Sequence, residues 1–254
     1  MIARELRLFR IALQFLTQVP AGSIDDWPPD WLARSAKYMP FIGAVIGLIA
    51  GTVLVASAIF FPEPLPTVIG LAVAIGLSGA MHEDGLADTV DAFGGGKTRE
   101  RRLEIMKDSR IGTYGALGLI VVLALKGAAL VAVDPVSAAS VLIAGHAGAR
   151  LAAVMAMSML PHAGINTKIS HKRSELTMGE VALAAILGLT PGLIVLHLQT
   201  FAIATLFAFV AAALVAALAR KKIGGYTGDV LGAVEQVYET VFFMFAAALI
   251  SGPG

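Results

Sequence analysis

Residues 66–91 read PTVIGLAVAIGLSGAMHEDGLADTVD, sixteen residues without a charge and then a sudden run of acids. The first part, Pro66 to Met81, has the composition of a membrane helix. The second part, His82 to Asp91, holds Glu83, Asp84, Asp88 and Asp91. If the helix continues through it, Asp84, Asp88 and Asp91 fall at i, i+4 and i+7, within about 60° of one another. Carboxylates on one stripe repel each other and are cheap to keep only with a cation among them. Oxygen ligands suit a hard cation, and Mg²⁺ commonly combines one or two carboxylates with substrate phosphates. The plainer alternative is a solvated acidic helix start.

The rest of the chain makes a membrane setting the expectation. Of its 254 residues 57% are hydrophobic and 15% charged, with mean hydropathy +0.80, whereas soluble domains carry about 25% charged residues. The fold class expected is all-α, a polytopic membrane helix bundle forming one domain over residues 1–254. Spans are expected near 41–61, 66–81, 113–133, 136–160, 181–198, 200–219 and 230–250, seven in all. Met1 to Gln18 interleaves Arg4, Glu5, Arg7 and Arg10 with apolar residues, which reads as an amphipathic surface helix rather than a cleavable signal. Gly43, Gly47 and Gly51 give the first span a smooth face for a close neighbour, within the chain or in a second copy. The absence of cysteine excludes disulfides, thiolate metal sites and a Cys nucleophile.

Charge sidedness tests that map. Arg4 to Lys37, Lys97 to Arg110, Lys168 to Arg173 and Arg220 to Lys222 all fall on one side, and the other side holds Glu63 and Asp134 without Lys or Arg. The positive-inside rule puts the basic side, with the N-terminus, in the cytoplasm and the C-terminus on the opposite side of the membrane. Any chemistry then faces the cytoplasm, drawn from segments 82–115, 146–173 and 224–239.

Two further clusters lie on that side. Lys107, Asp108, Ser109 and Arg110 precede Gly112 and Gly115. Lys107 and Arg110 suit phosphate, Arg by its planar fork, and Asp108 is a candidate base or ligand. The alternative, a basic patch for anionic lipid, accounts for Arg99, Arg101 and Arg102 but not for Asp108. Asp229 sits at a helix start between Gly228 and Gly232, and Glu235 and Glu239 follow inside the last span. Their bland role is pairing with Lys126 or Arg150. His146 and Arg150, four apart, are candidates to face substrate, as are Asn166 and Lys168 in the loop. The histidines match no zinc pattern. Together these groups suggest a metal-bound diphosphate attacked by an alcohol, with a nucleoside monophosphate leaving.

The stretches 82–91, Leu103 to Gly112 and Gly228 to Ala233, with Pro40 to Gly43 and Arg150, resemble the cobalamin synthase family, the adenosylcobinamide-GDP ribazoletransferases. The resemblance runs in order over nearly the whole chain. It implies a Mg²⁺-dependent transfer in which the ribose 3′-hydroxyl of α-ribazole, or of its 5′-phosphate, attacks adenosylcobinamide-GDP. GMP leaves, and adenosylcobalamin or its 5′-phosphate forms. It implies Asp84, Asp88 and Asp91 as the metal set. Ala92, where many relatives have Gly, and Glu83, where an apolar residue is commoner, depart from the pattern without removing a carboxylate.

Our own assignments extend this. Asp84, Asp88, Asp91 and Asp229 are expected to hold or complete the metal shell. Asp108 and Asp91 are the candidate catalytic residues, and Lys107, Ser109, Arg110, Arg150, His146, Asn166 and Lys168 meet substrate. Expected partners are the two small substrates and the bilayer, not nucleic acid, with self-association or association with other late cobamide-synthesis enzymes left open. Two other functions compete. A CDP-alcohol phosphotransferase shares the pattern at Asp84, Gly85 and Ala87 but calls for Arg where Asp88 stands. An ion-coupled transporter would use Lys126, Arg150, Glu235 and Glu239.

Overall fold

The computed structural model describes residues 2–22, 30–163 and 176–252, without the side chains of residues 31 and 32. Asn166 and Lys168 therefore lie outside the described residues. The chain is an all-α membrane bundle. Six helices are long and apolar enough to cross a bilayer, or seven if one sharply bent pair counts as a single crossing.

Helix α1 (Ile2–Leu16) buries Leu8, Ile11, Ala12 and Leu16 and leaves Ile2, Leu6 and Phe15 exposed. Its Glu5 carboxylate accepts a hydrogen bond from Tyr38 Oη at 2.7 Å and pairs with Lys37 Nζ at 2.7 Å. Two charges thus pin the amphipathic helix to the turn that runs from α2 (Trp31–Ser35) into α3 (Met39–Ser57).

The glycine face of α3 finds its neighbour inside the chain. A β-carbon on Gly47 would stand 2.7 Å from Ile143 Cα, and one on Gly51 2.9 Å from Ala139 Cα. Gly43 likewise meets the His146 backbone. The partner is α8 (Pro135–Met159), and the register runs antiparallel, since 43 faces 146 and 51 faces 139. Small residues let two membrane helices approach backbone to backbone, where dispersion replaces the hydrophobic drive that lipid does not supply. Helix α8 is the axis of the bundle, buried along most of its length. Asp134 caps its start, accepting from the backbone of Val136 and Ser137 at 3.0 and 3.1 Å.

Helix α4 (Leu65–Ser78) has 14 residues, about 21 Å at 1.5 Å each, short of the roughly 30 Å of hydrocarbon. Here the structure corrects the sequence reading. The apolar run does not carry straight into the acids: Gly79 (φ 64°) and Ala80 (φ 57°) both adopt left-handed backbone, and the chain turns by 87° into α5 (Met81–Gly95). The acidic helix thus leaves the line of α4, and its first residues, His82 and Glu83, pack inside the bundle against Glu235 and Gln236 of the last helix. Gly94 and Gly95 remain helical, and the helix ends at Gly96.

Helix α6 (Arg99–Ile105) follows, then α7 (Thr113–Val131), α8, α9 (Met178–Val195), α10 (Leu198–Ile223) and α11 (Gly228–Ser251). Leu117, Ile120 and Val121 of α7 and Leu206, Val210 and Leu214 of α10 are exposed, an apolar belt that suits lipid. Arg99 Nε and Arg102 Nη1 donate to the last carbonyls of α10, Ile223 O at 2.9 Å and Lys222 O at 3.1 Å. Cations at a helix C-terminus are favourable partners for its unpaired carbonyls. These two arginines, read from sequence as a lipid patch, join α6 to α10 and hold two basic segments at one end of the bundle.

Candidate active site at the charged end of the bundle

The acids converge because two helices touch through glycine. A β-carbon on Gly85 of α5 would stand 2.9 Å from Asp229 Cα, and one on Gly232 of α11 would stand 3.1 Å from His82 O and 3.3 Å from Gly85 Cα. A larger residue at either position would push the two backbones apart, and the close crossing sets Asp229 beside the turn of α5 that carries Asp84 and Asp88. Thr227 caps α11, accepting from Val230 N at 3.2 Å, and its hydroxyl donates to Asp229 Oδ2 at 3.3 Å.

Asp84 is exposed and Asp88 half-buried. Burial pushes the Asp88 carboxyl up to about 7, helped by the charges of Asp84, Asp229, Asp91 and Asp108 in that order. Five acids therefore share one field. Among the described residues no three carboxylates or imidazoles close into a ready-made metal cage. The donor set nonetheless fits a hard cation that arrives with phosphate oxygens and water, because it is all carboxylate oxygen and strained by its own repulsion.

Asp91 is engaged differently from its neighbours on the stripe. Its Oδ2 accepts from Gly112 N at 2.7 Å and its Oδ1 from Gly115 N at 2.9 Å. These are free amides of the first turn of α7, where a carboxylate is well placed. Asp91 fastens α5 to α7, and the glycines are small because its carboxyl fills the space beside them.

Asp108 is locked to Arg110. The guanidinium donates through Nε to Oδ1 at 3.0 Å and through Nη2 to Oδ2 at 2.7 Å. That pairing holds the Asp108 carboxyl down at about 2, a poor match to a general base, which works best near ambient pH. Lys107, Ser109 and Arg110 are exposed on the same turn.

Arg150 and His146, expected at substrate, sit behind the acids in a buried network across α5, α7, α8 and α11. His82 Nε2 lies 3.0 Å from Glu235 Oε2, and Arg150 Nε 3.2 Å from the same oxygen. Arg150 also pairs with Glu239, as do His146 Nδ1 at 2.7 Å and Lys126 Nζ at 2.6 Å. Lys126 donates to Gln236 Oε1 at 2.6 Å, and Gln236 Nε2 to Glu83 Oε1 at 2.8 Å. Arg150 is 1% exposed and His146 5%, so neither reaches a ligand in this arrangement. The reason is electrostatic: Glu235 and Glu239 inside a bilayer need cations, and α8 and α7 supply them. Pairing, the bland role, accounts for Lys126, Arg150, Glu235 and Glu239 and removes the observation that favoured a transporter.

Gln236 and Glu83 were not singled out for this network. The signal available was a polar pair, Glu235 and Gln236, inside an apolar helix. The clip between α8 and α11 was not legible either. There Ala163 N donates to Tyr226 O at 2.7 Å and Tyr226 N to Pro161 O at 3.0 Å.

Comparison with known proteins bears on this arrangement. A family model described as cobalamin-5-phosphate synthase matches residues 8–247. A Leptothrix cholodnii protein named adenosylcobinamide-GDP ribazoletransferase is 40% identical over 253 residues, covering 96% of each chain. Proteins of the same name from Shewanella amazonensis and Bradyrhizobium diazoefficiens are 39% and 38% identical, covering 98% and 96% of this chain and 97% and 94% of theirs. No solved structure matches at a significant level.

Proposed function

Because this chain belongs to the cobalamin-5-phosphate synthase family, and is thereby a transferase of cobalamin biosynthesis, we propose the specific reaction its charged end performs. The substrates are adenosylcobinamide-GDP and α-ribazole or its 5′-phosphate. The ribose 3′-hydroxyl oxygen forms a bond to the cobinamide-proximal phosphorus, the bond from that phosphorus to the GMP oxygen breaks, and the hydroxyl proton is lost. The products are adenosylcobalamin, or its 5′-phosphate, and GMP.

Asp84, Asp88 and Asp229 would hold Mg²⁺, which supplies charge neutralisation on the diphosphate oxygens when bound. Asp91 positions the α5 stripe against α7. Lys107 and Arg110 take the phosphates from the exposed turn, with Ser109 beside them. Arg110 that turns to a diphosphate releases Asp108, whose carboxyl then returns toward its ordinary range and becomes a better proton acceptor. Arg150 and His146 act at one remove, by holding Glu235 and Glu239 and so the N-terminal half of α11. The basic end faces the cytoplasm of an inner membrane and the C-terminus the periplasm, as the one-sided distribution of Lys and Arg favours.

The observation that carries this reading is the glycine crossing of α5 and α11, which sets acids from two helices side by side at the basic end. The test is an assay of the purified protein in lipid nanodiscs with both substrates. Release of GMP with Mg²⁺, and not with EDTA, is expected. Equal release in EDTA rejects the metal assignment, and no release in either condition rejects the substrates.

A further inference from the structure

A cavity of about 470 Å³ opens beside the acids. Exposed Asp84 and half-buried Asp229 stand at its outer rim, and the buried His82 and Glu235 mark its inner end. Between them the walls are apolar: Leu16 of α1, Met39 of α3, Met81 of α5, Ala153 and Met157 of α8, and Leu231 of α11. Six helices contribute, Ala33 of α2 among their lining residues, so the cavity is a product of the whole fold.

We infer that this cavity takes the heteroaromatic base of the alcohol substrate, with the attached ribose at the Asp84–Asp229 rim. The inference rests on the transferase reading above. The volume lies within the range of small-molecule sites, about 300–1,000 Å³. It holds a flat bicyclic base with its sugar and is far too small for a corrin macrocycle. The lining suits a planar ring that is largely apolar. Three methionines give soft, adaptable walls with favourable sulfur–aromatic contacts, and His82 and Glu235, engaged with each other at 3.0 Å, close the inner end. The position matters as much as the chemistry. A base seated inward leaves its sugar hydroxyls at the rim, next to the carboxylates assigned to the cation and diphosphate. The corrinoid then stays outside the bundle, at the surface turn that carries Lys107 and Arg110.

The experiment uses the full chain in nanodiscs. Met157→Phe and Leu231→Phe narrow the cavity from two walls, and Met157→Ala widens it. In either narrowed variant the KM for α-ribazole phosphate should rise about tenfold or more, the order expected for one misfit group in an apolar pocket. The KM for adenosylcobinamide-GDP should stay within about twofold. Met157→Ala should raise the relative kcat/KM for ribosides with bulkier bases. Equilibrium dialysis of labelled α-ribazole without the corrinoid should show the same weakening in the narrowed variants. An unchanged ribazole KM in a narrowed variant that still turns over overturns the inference. So does a rise confined to the corrinoid substrate, and both leave the transferase reading intact. Wild-type protein inactive on both substrates removes that reading and the inference with it.

Discussion

Gly85 of α5 and Asp229 of α11 are in backbone contact: the space for a Gly85 β-carbon ends 2.9 Å from Asp229 Cα. Everything proposed for the acidic site depends on that approach. Gly85→Ala would force the helices apart by a few tenths of an ångström, since the obstacle is backbone and cannot rotate away. We predict a loss of about 1–3 kcal/mol of stability, the usual cost of overpacking, and a fall in GMP release of more than tenfold in protein that still inserts. Thermal unfolding and turnover in nanodiscs check both. Unchanged turnover would show that the crossing does not set the site.

Asp88 gives a pH prediction. Its carboxyl titrates at about 7 in the fold against an ordinary value of 3.8. Below 3.8 it is protonated in both states and carries no penalty. As pH rises from 3.8 to 7 the unfolded chain ionises while the fold holds its proton, and stability is lost until the fold also ionises above 7. Without divalent cation, Asp88→Asn should therefore raise the unfolding midpoint over wild type at pH 8 and much less at pH 5. The affinity of wild type for Mg²⁺ should fall as pH drops below about 7, because proton and cation compete. Melting curves in EDTA at the two pH values, and a Mg²⁺ titration, test each half. A midpoint gain larger at pH 5 would contradict the assignment.

The buried network makes a coupling prediction. Lys126→Met leaves Glu239 with one cation fewer at a site 1% exposed, and breaking a buried pair from one side costs about 3–5 kcal/mol. Lys126→Met combined with Glu239→Gln removes charge from both sides and should cost clearly less than the two single changes added together. The four unfolding midpoints of this cycle decide it. Additive losses would mean that the two groups do not act as a pair.

Much of this molecule was legible in its sequence. The span edge at Asp134-Pro135 announced itself by turn chemistry, and α7 starts at Thr113, where its span was expected. The glycines at 43, 47 and 51 announced a close helix contact, though not its partner, because spacing names a face and not its neighbour. The 87° turn was hidden. Gly79 and Ala80 lie in an apolar run where small residues are ordinary, and only their left-handed backbone marks the corner. At the site, Asp84 and Asp88 shared a helical stripe in the sequence, but their meeting with Asp229 rests on the contact of Gly85 with α11, which no spacing announced. Asp91 shared the helical period of the stripe, but its hydrogen bonds to Gly112 and Gly115 depend on where α7 starts in space. Arg150 was open to two readings, substrate contact and pairing with Glu235 or Glu239, and a separation of 89 residues from Glu239 gave no way to choose between them. Pairing at that separation has no local signature.

The central claim is that Asp84, Asp88 and Asp229 form a divalent-cation site completed by a diphosphate. Its most direct test replaces Mg²⁺ with Mn²⁺ and reads the bound fraction by electron paramagnetic resonance in nanodiscs, with and without adenosylcobinamide-GDP. The account predicts weak binding to wild type alone, binding at least tenfold tighter with the diphosphate substrate, and loss of that gain in Asp84→Asn protein that remains folded. Substrate-dependent Mn²⁺ binding that survives Asp84→Asn unchanged would contradict it.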